Sequence, residues 1–321
     1  MLRDGITGDW IGTFIGHKGA VWQARISSDA TLAATGSADF TAKVWDTHTG
    51  ESLHTLQHKH IVRAVAFPSQ PRPAILATGG AEKILRIFDL SRSSPTSPVG
   101  HANGVSNGAH GAHSAPPPSY EIGPGTHGGT IKSIVWGTDP NILVTAADDQ
   151  KIRWWDLRTR AVVSEFAVDG VVGSCELNSL AHDASNGVLS VAAGKSVYFF
   201  DGLASRRLLK TVKTNQDVVS VALHAESRRF VTGGTSDTWV RVYDYDEGVE
   251  LGKFFPPSAA CEVARLMICS FSICRTSQRS SWPDLVYQLQ SRRKALRNGI
   301  GGWHDQVVEV LRGALRTLAV K

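Results

Sequence analysis

The stretch "ATGSADFTAKVWD" (residues 34–46) returns as "ATGGAEKILRIFD" (77–89), the same length without a gap, and again as "VTAADDQKIRWWD", which ends at Asp156. A phrase that recurs at a fixed period constrains a fold more than any local propensity. Each copy must build the same small unit, and the units must bury their faces on one another. The closing aspartates fall at Asp46, Asp89, Asp156, Asp201 and Asp244, in steps of 43, 67, 45 and 43 residues. The long step contains residues 91–126, rich in Ser, Gly, Pro and His. Such a composition is expected to form a flexible loop insertion, and removing about 24 of its residues restores the period.

Each unit has the same internal grammar. In the first, Gly16-His17 opens, Val21, Ala24 and Ile26 follow at strand-like spacing, and "TLAATGS" runs to a turn at Asp39. "TAKVWD" comes next, and "THTGE" turns the chain. Alternating β-branched and aromatic residues between Gly, Asp and Ser signals predict three or four short antiparallel strands per unit. His58 and His127 open the second and third units; the fourth (about 171–201) and fifth (about 214–244) lack the histidine, with Thr214 in its place in the fifth. All-β units of this length are propeller blades.

The "GH…D…WD" pattern resembles the WD-repeat family of β-propellers. The wording "DWIGTFIGHKGAVW", "ADFTAKVWD", "HKHIVRAVAF" and "KILRIFDL" is similar to a branch of that family containing receptor-associated adaptors and one subunit of a translation initiation factor. The resemblance implies an all-β, seven-bladed propeller, of which residues 1–252 would supply five complete blades and one strand of another. That remnant is residues 1–8: "MLRDGITG" lines up with "KVWDTHTG", placing Asp4 42 residues before Asp46. The chain is therefore expected to begin on the last strand of a blade whose other strands are absent.

The resemblance also implies a scaffold without catalysis, bound to other proteins in a multisubunit complex in cytoplasm and nucleus. One implied setting is the survival-of-motor-neuron complex, spliceosomal snRNP assembly and receptor signalling, with snRNP assembly factors as partners. The other is a structural place in eukaryotic translation initiation factor three, with its subunits as partners. RNA would be met only indirectly or through the basic tail, and no membrane is implied.

Residues 253–321 are that tail. They carry 11 of the 34 Lys/Arg and 4 of the 29 Asp/Glu, which leaves the first 252 residues with 23 against 25. The net charge of +5 thus says little about what the repeats bind. Two helices are expected there: Trp282 to Asn298, capped by Ser281, and a second after Asp305 with Val307, Val308, Leu311, Leu315 and Leu318 on one face. Either the tail is a gene-model artefact or it covers an open sheet edge, which proteins normally shield. The opening "MLRDGITGDW" has no apolar signal-peptide core. The four cysteines (Cys175, Cys261, Cys269, Cys274) read as reduced thiols of an intracellular protein.

His17, Thr35, Asp39 and Trp45 invite a catalytic reading, since His and Asp with a hydroxyl suggest nucleophilic chemistry. The set recurs as His127, Thr145, Asp149 and Trp155. Catalysis gives no reason for one copy per repeat, whereas a buried hydrogen-bond network tying each blade together does. Glu82 and Phe88 replace Asp and Trp in the second unit, and the fifth keeps Asp237 and Tyr243 without the His; both blades are expected to be held more by packing. His101, His110, His113 and His127 lie in Gly-rich surroundings without carboxylate or cysteine ligands at useful spacing, so no metal is expected, nor one at Cys269 and Cys274. No phosphate loop, dinucleotide fingerprint, nucleophile elbow or zinc-protease motif occurs, and neither an enzyme nor a cofactor is expected. The family places partner-contacting side chains five residues after the opening His, here Trp22, Arg63 and Lys132. Trp22 has two readings, an exposed anchor or ordinary core.

Overall fold

The computed structural model describes residues 2–3, 9–91 and 117–254, apart from short breaks at 138, 181–182, 204–205, 225–226 and 235–238. The two tail helices, the sulfurs of Cys261, Cys269 and Cys274, and His101, His110 and His113 lie outside these residues, as does Asp237. The described residues belong to the unit Met1–Thr276. No helix among them is long and apolar enough to cross a membrane.

The strands β1 (Leu2–Arg3) and β2 (Trp10–Gly12) form a two-stranded sheet. Five antiparallel four-stranded sheets follow, each in simple meander order. Blade 1 is β3 (Val21–Ile26), β4 (Leu32–Ser37), β5 (Thr41–Asp46) and β6 (Ser52–Gln57); blade 2 is β7 (Val62–Ala66), β8 (Ile75–Gly80), β9 (Leu85–Asp89) and β10 (Ser119–Ile122). Blade 3 is β11 (Ile131–Trp136), β12 (Ile142–Ala147), β13 (Lys151–Asp156) and β14 (Ala161–Ala167). Blade 4 is β15 (Val172–Leu180), β16 (Asp183–Ala193), β17 (Ser196–Asp201) and β18 (Leu208–Lys213). Blade 5 is β19 (Val218–His224), β20 (Arg229–Gly234), β21 (Val240–Asp244) and β22 (Glu250–Phe254).

Burial explains the sequence pattern. The second strands of blades 1 to 3 are almost wholly buried: β4, β8 and β12 each run one half-buried residue and then five buried ones. A sheet covered on both faces needs an apolar or small residue at every position, not at every other one. The outermost strand β14 alternates exposed and half-buried residues, because water meets one side of it. The faces are covered by neighbouring blades. Ala34, Val44 and Leu56 of blade 1 pack on Val62, Val65 and Phe88 of blade 2; Leu85, Ile87 and Ile122 of blade 2 pack on Ile131, Trp136 and Trp155 of blade 3. Blades 3 and 4 meet through Trp154 and Phe200, and blades 4 and 5 through Phe199 and Phe230. First strands of consecutive blades lie side by side throughout. Arg25 of β3 also reaches Glu176 of β15 at 2.8 Å, joining blades 1 and 4.

Two expectations are corrected. The loop expected over 91–126 is a strand at Ser119–Ile122, where β10 pairs with β9 and completes blade 2. A short alternation is enough there: Ile122 is buried while Ser119 and Glu121 face out. The insertion therefore separates the third and fourth strands of one blade. The described residues of 1–8 hold one strand, but it is not the last of its blade, because β1 pairs with β2 at Trp10–Gly12, beyond the octet. Its register (Leu2↔Gly12, Arg3↔Trp10) reproduces, 42 residues earlier, that of β5 on β6 (Val44↔His54, Trp45↔Ser52). It thus has the register of the outer hairpin of a blade.

Blade spacing sets one glycine. A Cβ on Gly173 would stand 2.1 Å from the Val219 carbonyl oxygen of the next blade's first strand. Gly173→Ala is expected to cost about 2–3 kcal/mol and several degrees of Tm. Gly252→Ala, with nothing within 4 Å of its would-be Cβ, should melt nearly as the parent does; thermal circular dichroism of both checks this.

Candidate partner-binding face

The aromatic–aspartate ending of each repeat has two separate jobs. Asp46 ends β5 and accepts the backbone N–H of His48 and Thr49 at 2.8 and 2.9 Å, fixing the turn to β6. Asp89 accepts from Ser91 N–H, Asp156 from Arg158 N–H, and Asp244 from Asp246 and Glu247 N–H in the same way. Asp side chains favour such turns because they satisfy N–H groups that the ladder has released. The preceding aromatic looks inward. Trp45 donates its indole N–H to Thr35 Oγ1 at 2.8 Å, and Trp155 does the same to Thr145.

Around Trp45 the four predicted residues come together. His17 Nε2 lies 2.6 Å from Thr35 Oγ1 and its Nδ1 2.8 Å from Asp39 Oδ2. The same carboxylate oxygen accepts Lys18 N–H at 2.8 Å, which pins the loop entering blade 1 to the turn between β4 and β5. Burial alone would raise the Asp39 carboxyl, but hydrogen bonds from Thr41, Lys18 N–H and His17 outweigh it and hold it well below the usual carboxylate range. In blade 3 three of the four members are linked: His127 Nε2 to Thr145 at 2.9 Å, and Trp155 to Thr145. Asp149 still accepts Gly128 N–H, but it pairs with Arg153 at 2.8 Å instead of His127. The His127 ring stacks on Trp155 at 5.3 Å.

Blade 2 keeps a polar network built from other residues, which corrects the expectation that packing would carry it. Glu82 is one methylene longer than Asp, and it reaches past the loop to accept Lys59 N–H and His60 N–H. Arg86 bridges Glu82 (2.7 Å) to Glu121 (3.1 Å) and lies 3.1 Å from His58 Nδ1. Arg153 occupies the equivalent place in blade 3, between Asp149 and Glu165. The signal missed in the sequence was this arginine, two residues before the aromatic. Thr214, where the fifth unit lacks its histidine, bonds instead to the carbonyls of Lys195 and Gln216. No group of three His, Cys, Asp or Glu among the described residues is arranged to hold a metal. Burial pushes the Cys175 thiol up to about 12.

Trp22, Arg63 and Lys132 occupy one structural position. The first strand of every blade shifts register against the second after its first residue, between Val21/Gln23, Val62/Ala64, Ile131/Ser133, Val172/Ser174 and Val218/Ser220. The skipped residue is a β-bulge, an extra residue left out of the ladder, so its side chain is re-aimed. These residues are Trp22, Arg63, Lys132, Gly173 and Val219. Trp22 is 42% exposed, so its core reading falls and its surface reading stands. The Arg63 guanidinium lies over the Trp22 ring, with Cζ 4.1 Å from its centroid, and Lys132 pairs with Asp148 at 3.1 Å. The next residue along often ties blades together: Gln23 accepts Val65 N–H at 2.7 Å, and Ser133 donates to the Cys175 carbonyl at 3.2 Å.

A family model described as WD domain, G-beta repeat matches residues 8–46, 50–89, 122–156 and 206–244. The chain is 37% identical over 252 residues to the serine-threonine kinase receptor-associated protein of Dictyostelium discoideum, covering 78% of this chain and 74% of that relative. It belongs to the WD-repeat family. Over 256 residues this WD-repeat chain is also 37% identical to the Gallus gallus protein of the same name, covering 79% of itself and 63% of the relative. It thus spans less than two thirds of that relative's length. A more distant likeness, 28% over 237 residues, is to eukaryotic translation initiation factor 3 subunit I of Drosophila melanogaster, covering 72% of this chain and 66% of the relative. The four-stranded sheets are the blades of a WD-repeat propeller, an architecture that supports a protein-interaction adaptor.

Two buried histidines set a pH dependence. Burial, and then the neighbouring Arg86 or Arg153 charge, lowers His58 and His127 from 6.5 to about 4. The unfolded chain takes up these protons first, so their contribution is complete above pH 6.5 and is lost as pH falls towards 4. Between pH 7 and pH 5 the loss should be on the order of 1–2 kcal/mol per histidine. Melting curves across that range check it, and H58Q/H127Q should flatten the dependence.

Proposed function

We propose that the chain is a non-enzymatic adaptor that holds partner proteins on its bulge-bearing face within a multisubunit complex of cytoplasm and nucleus. The observation that carries this is the position of Trp22. It is a large aromatic at an element start, re-aimed by a bulge, exposed to solvent and steadied by Arg63. Interfaces draw much of their affinity from such Trp and Arg side chains. A repeated polar network beneath supplies rigidity, so little ordering is lost when a partner docks.

The finer reading is adaptor work in spliceosomal snRNP assembly, in the survival-of-motor-neuron complex, and in receptor signalling. It is supported by the likeness to proteins whose name says that they associate with serine-threonine kinase receptors, and by the branch resemblance of the repeat wording. A second reading, a structural subunit of translation initiation factor three, is favoured by the 28% identity to its subunit I.

The test is affinity purification of the tagged chain from cells, beside Trp22→Ala and Leu209→Ser, the latter an exposed outer-strand control. Recovery of snRNP assembly factors, reduced at least tenfold by W22A and unchanged by L209S, is the expected result. Recovery of the initiation factor's large scaffold subunit without them favours the second reading. Equal recovery with both variants would remove the face from the proposal.

A further inference from the structure

The end of blades 1 and 2 that bears the bulges differs in chemistry from the same end of the other blades. Two contacts cross the seam between them. Arg63 lies on the Trp22 ring, and Phe40, in the turn between β4 and β5, sits 5.5 Å from the His60 ring. Phe40 is 44% exposed, and it is held in the left-handed region at φ 65°. That conformation is unusual for a bulky residue and directs the ring at the seam. Lys59 and Lys83 stand exposed beside it, in the loop entering blade 2 and in the β8–β9 turn.

These cations are not neutralised. Arg63, Lys59 and Lys83 have no ion-pair partner among the described residues. The nearby carboxylates are committed inward: Asp39 to His17, Thr41 and Lys18 N–H, and Glu82 to Arg86, Lys59 N–H and His60 N–H. Around the rest of this end the charges are mixed, with exposed Lys195 and Lys213 of blade 4 standing among carboxylates. Lys132 is paired with Asp148, and Asp169 and Asp217 are exposed in the loops that enter blades 4 and 5.

We propose that this seam receives an acidic segment of a protein partner, with its carboxylates on Arg63, Lys59 and Lys83 and its apolar side chains against Trp22 and Phe40. The proposal rests on the partner-binding reading of the bulge face and adds the partner's chemistry to it. Arg63 is suited to the role because its planar fork grips a carboxylate through two N–H groups while its flat face stays on Trp22. A nucleic-acid strand fits less well. It needs a continuous track of cations, and beyond this seam Asp148, Asp169 and Asp217 interrupt the lysines. One face of the indole that would stack a base is already occupied by Arg63.

The experiment is fluorescence anisotropy on the full chain with three probes: a fluorescein-labelled octapeptide alternating aspartate and leucine, the same peptide with asparagine for aspartate, and an eight-nucleotide oligouridine. The acidic peptide should bind with an affinity that falls as salt rises, and at least tenfold more tightly than the asparagine peptide. R63E should weaken it at least fivefold, as should K59E/K83E, whose changes lie on exposed side chains and leave the fold intact. K213E makes the same charge change on the outer strand of blade 4 and should have no effect. The proposal is overturned if the two peptides bind alike, if neither binds, if R63E and K59E/K83E change nothing, or if oligouridine binds more tightly than the acidic peptide. Should the peptide fail while W22A still sheds its co-purifying proteins, the binding face stands and only its acidic preference is lost.

Discussion

A propeller blade is a four-stranded sheet that is apolar on both faces, and the only surface shaped to cover such a face is another blade. That constraint accounts for much of the chain. It explains why the second strands of blades 1 to 3 are buried almost without interruption and why the outer strand of blade 3 alternates. It also explains why each core is shared: Trp154 belongs to blade 3 but packs on Phe200 of blade 4, and Phe199 on the other face of the same strand packs on Phe230 of blade 5. Fully burying side chains of this size contributes roughly 1.5–3 kcal/mol each. Stability is therefore a property of neighbouring pairs, as in other repeat arrays.

Close packing of first strands leaves their loops little freedom, and the polar networks remove what is left. The common task in blades 1 to 3 is to give a carboxylate to the N–H just after the opening histidine: Lys18 to Asp39, Lys59 to Glu82, Gly128 to Asp149. The carboxylate's second partner differs, being His17 in blade 1 and an arginine in blades 2 and 3. What persists is an acceptor that ties this N–H, and with it the loop, to the turn after the second strand; the identity of the acid is secondary. The bulge at each first strand then sits between a fixed loop and a fixed ladder, and its side chain is presented in one place per blade.

Repeat length, strand order and the members of the first network were legible in the sequence because periodicity and buried polar residues leave a direct imprint on residue type. Other features left none. A bulge adds no distinctive residue, so Trp22, Arg63 and Lys132 could be reached only through family resemblance, and the exposure of Trp22 had to come from the fold. The strand Ser119–Ile122 was hidden because four residues with a single buried apolar side chain do not stand out from a tract of Ser, Pro and Gly. Arg86 and Arg153 read as surface charges, since nothing local shows that Glu121 and Glu165 on the adjacent strand will meet them. The β1–β2 hairpin was half seen: the alignment found its first strand, and its second lay beyond the aligned octet.

The central claim is that partners dock where the bulges point. Hydrogen–deuterium exchange on the complex recovered with the tagged chain, compared with the free chain, tests it directly. New protection confined to residues 18–23, 38–40, 58–64 and 129–133 is the predicted result. New protection on the outer strands at 52–57, 161–167 and 208–213, with the bulge segments unchanged, would contradict it.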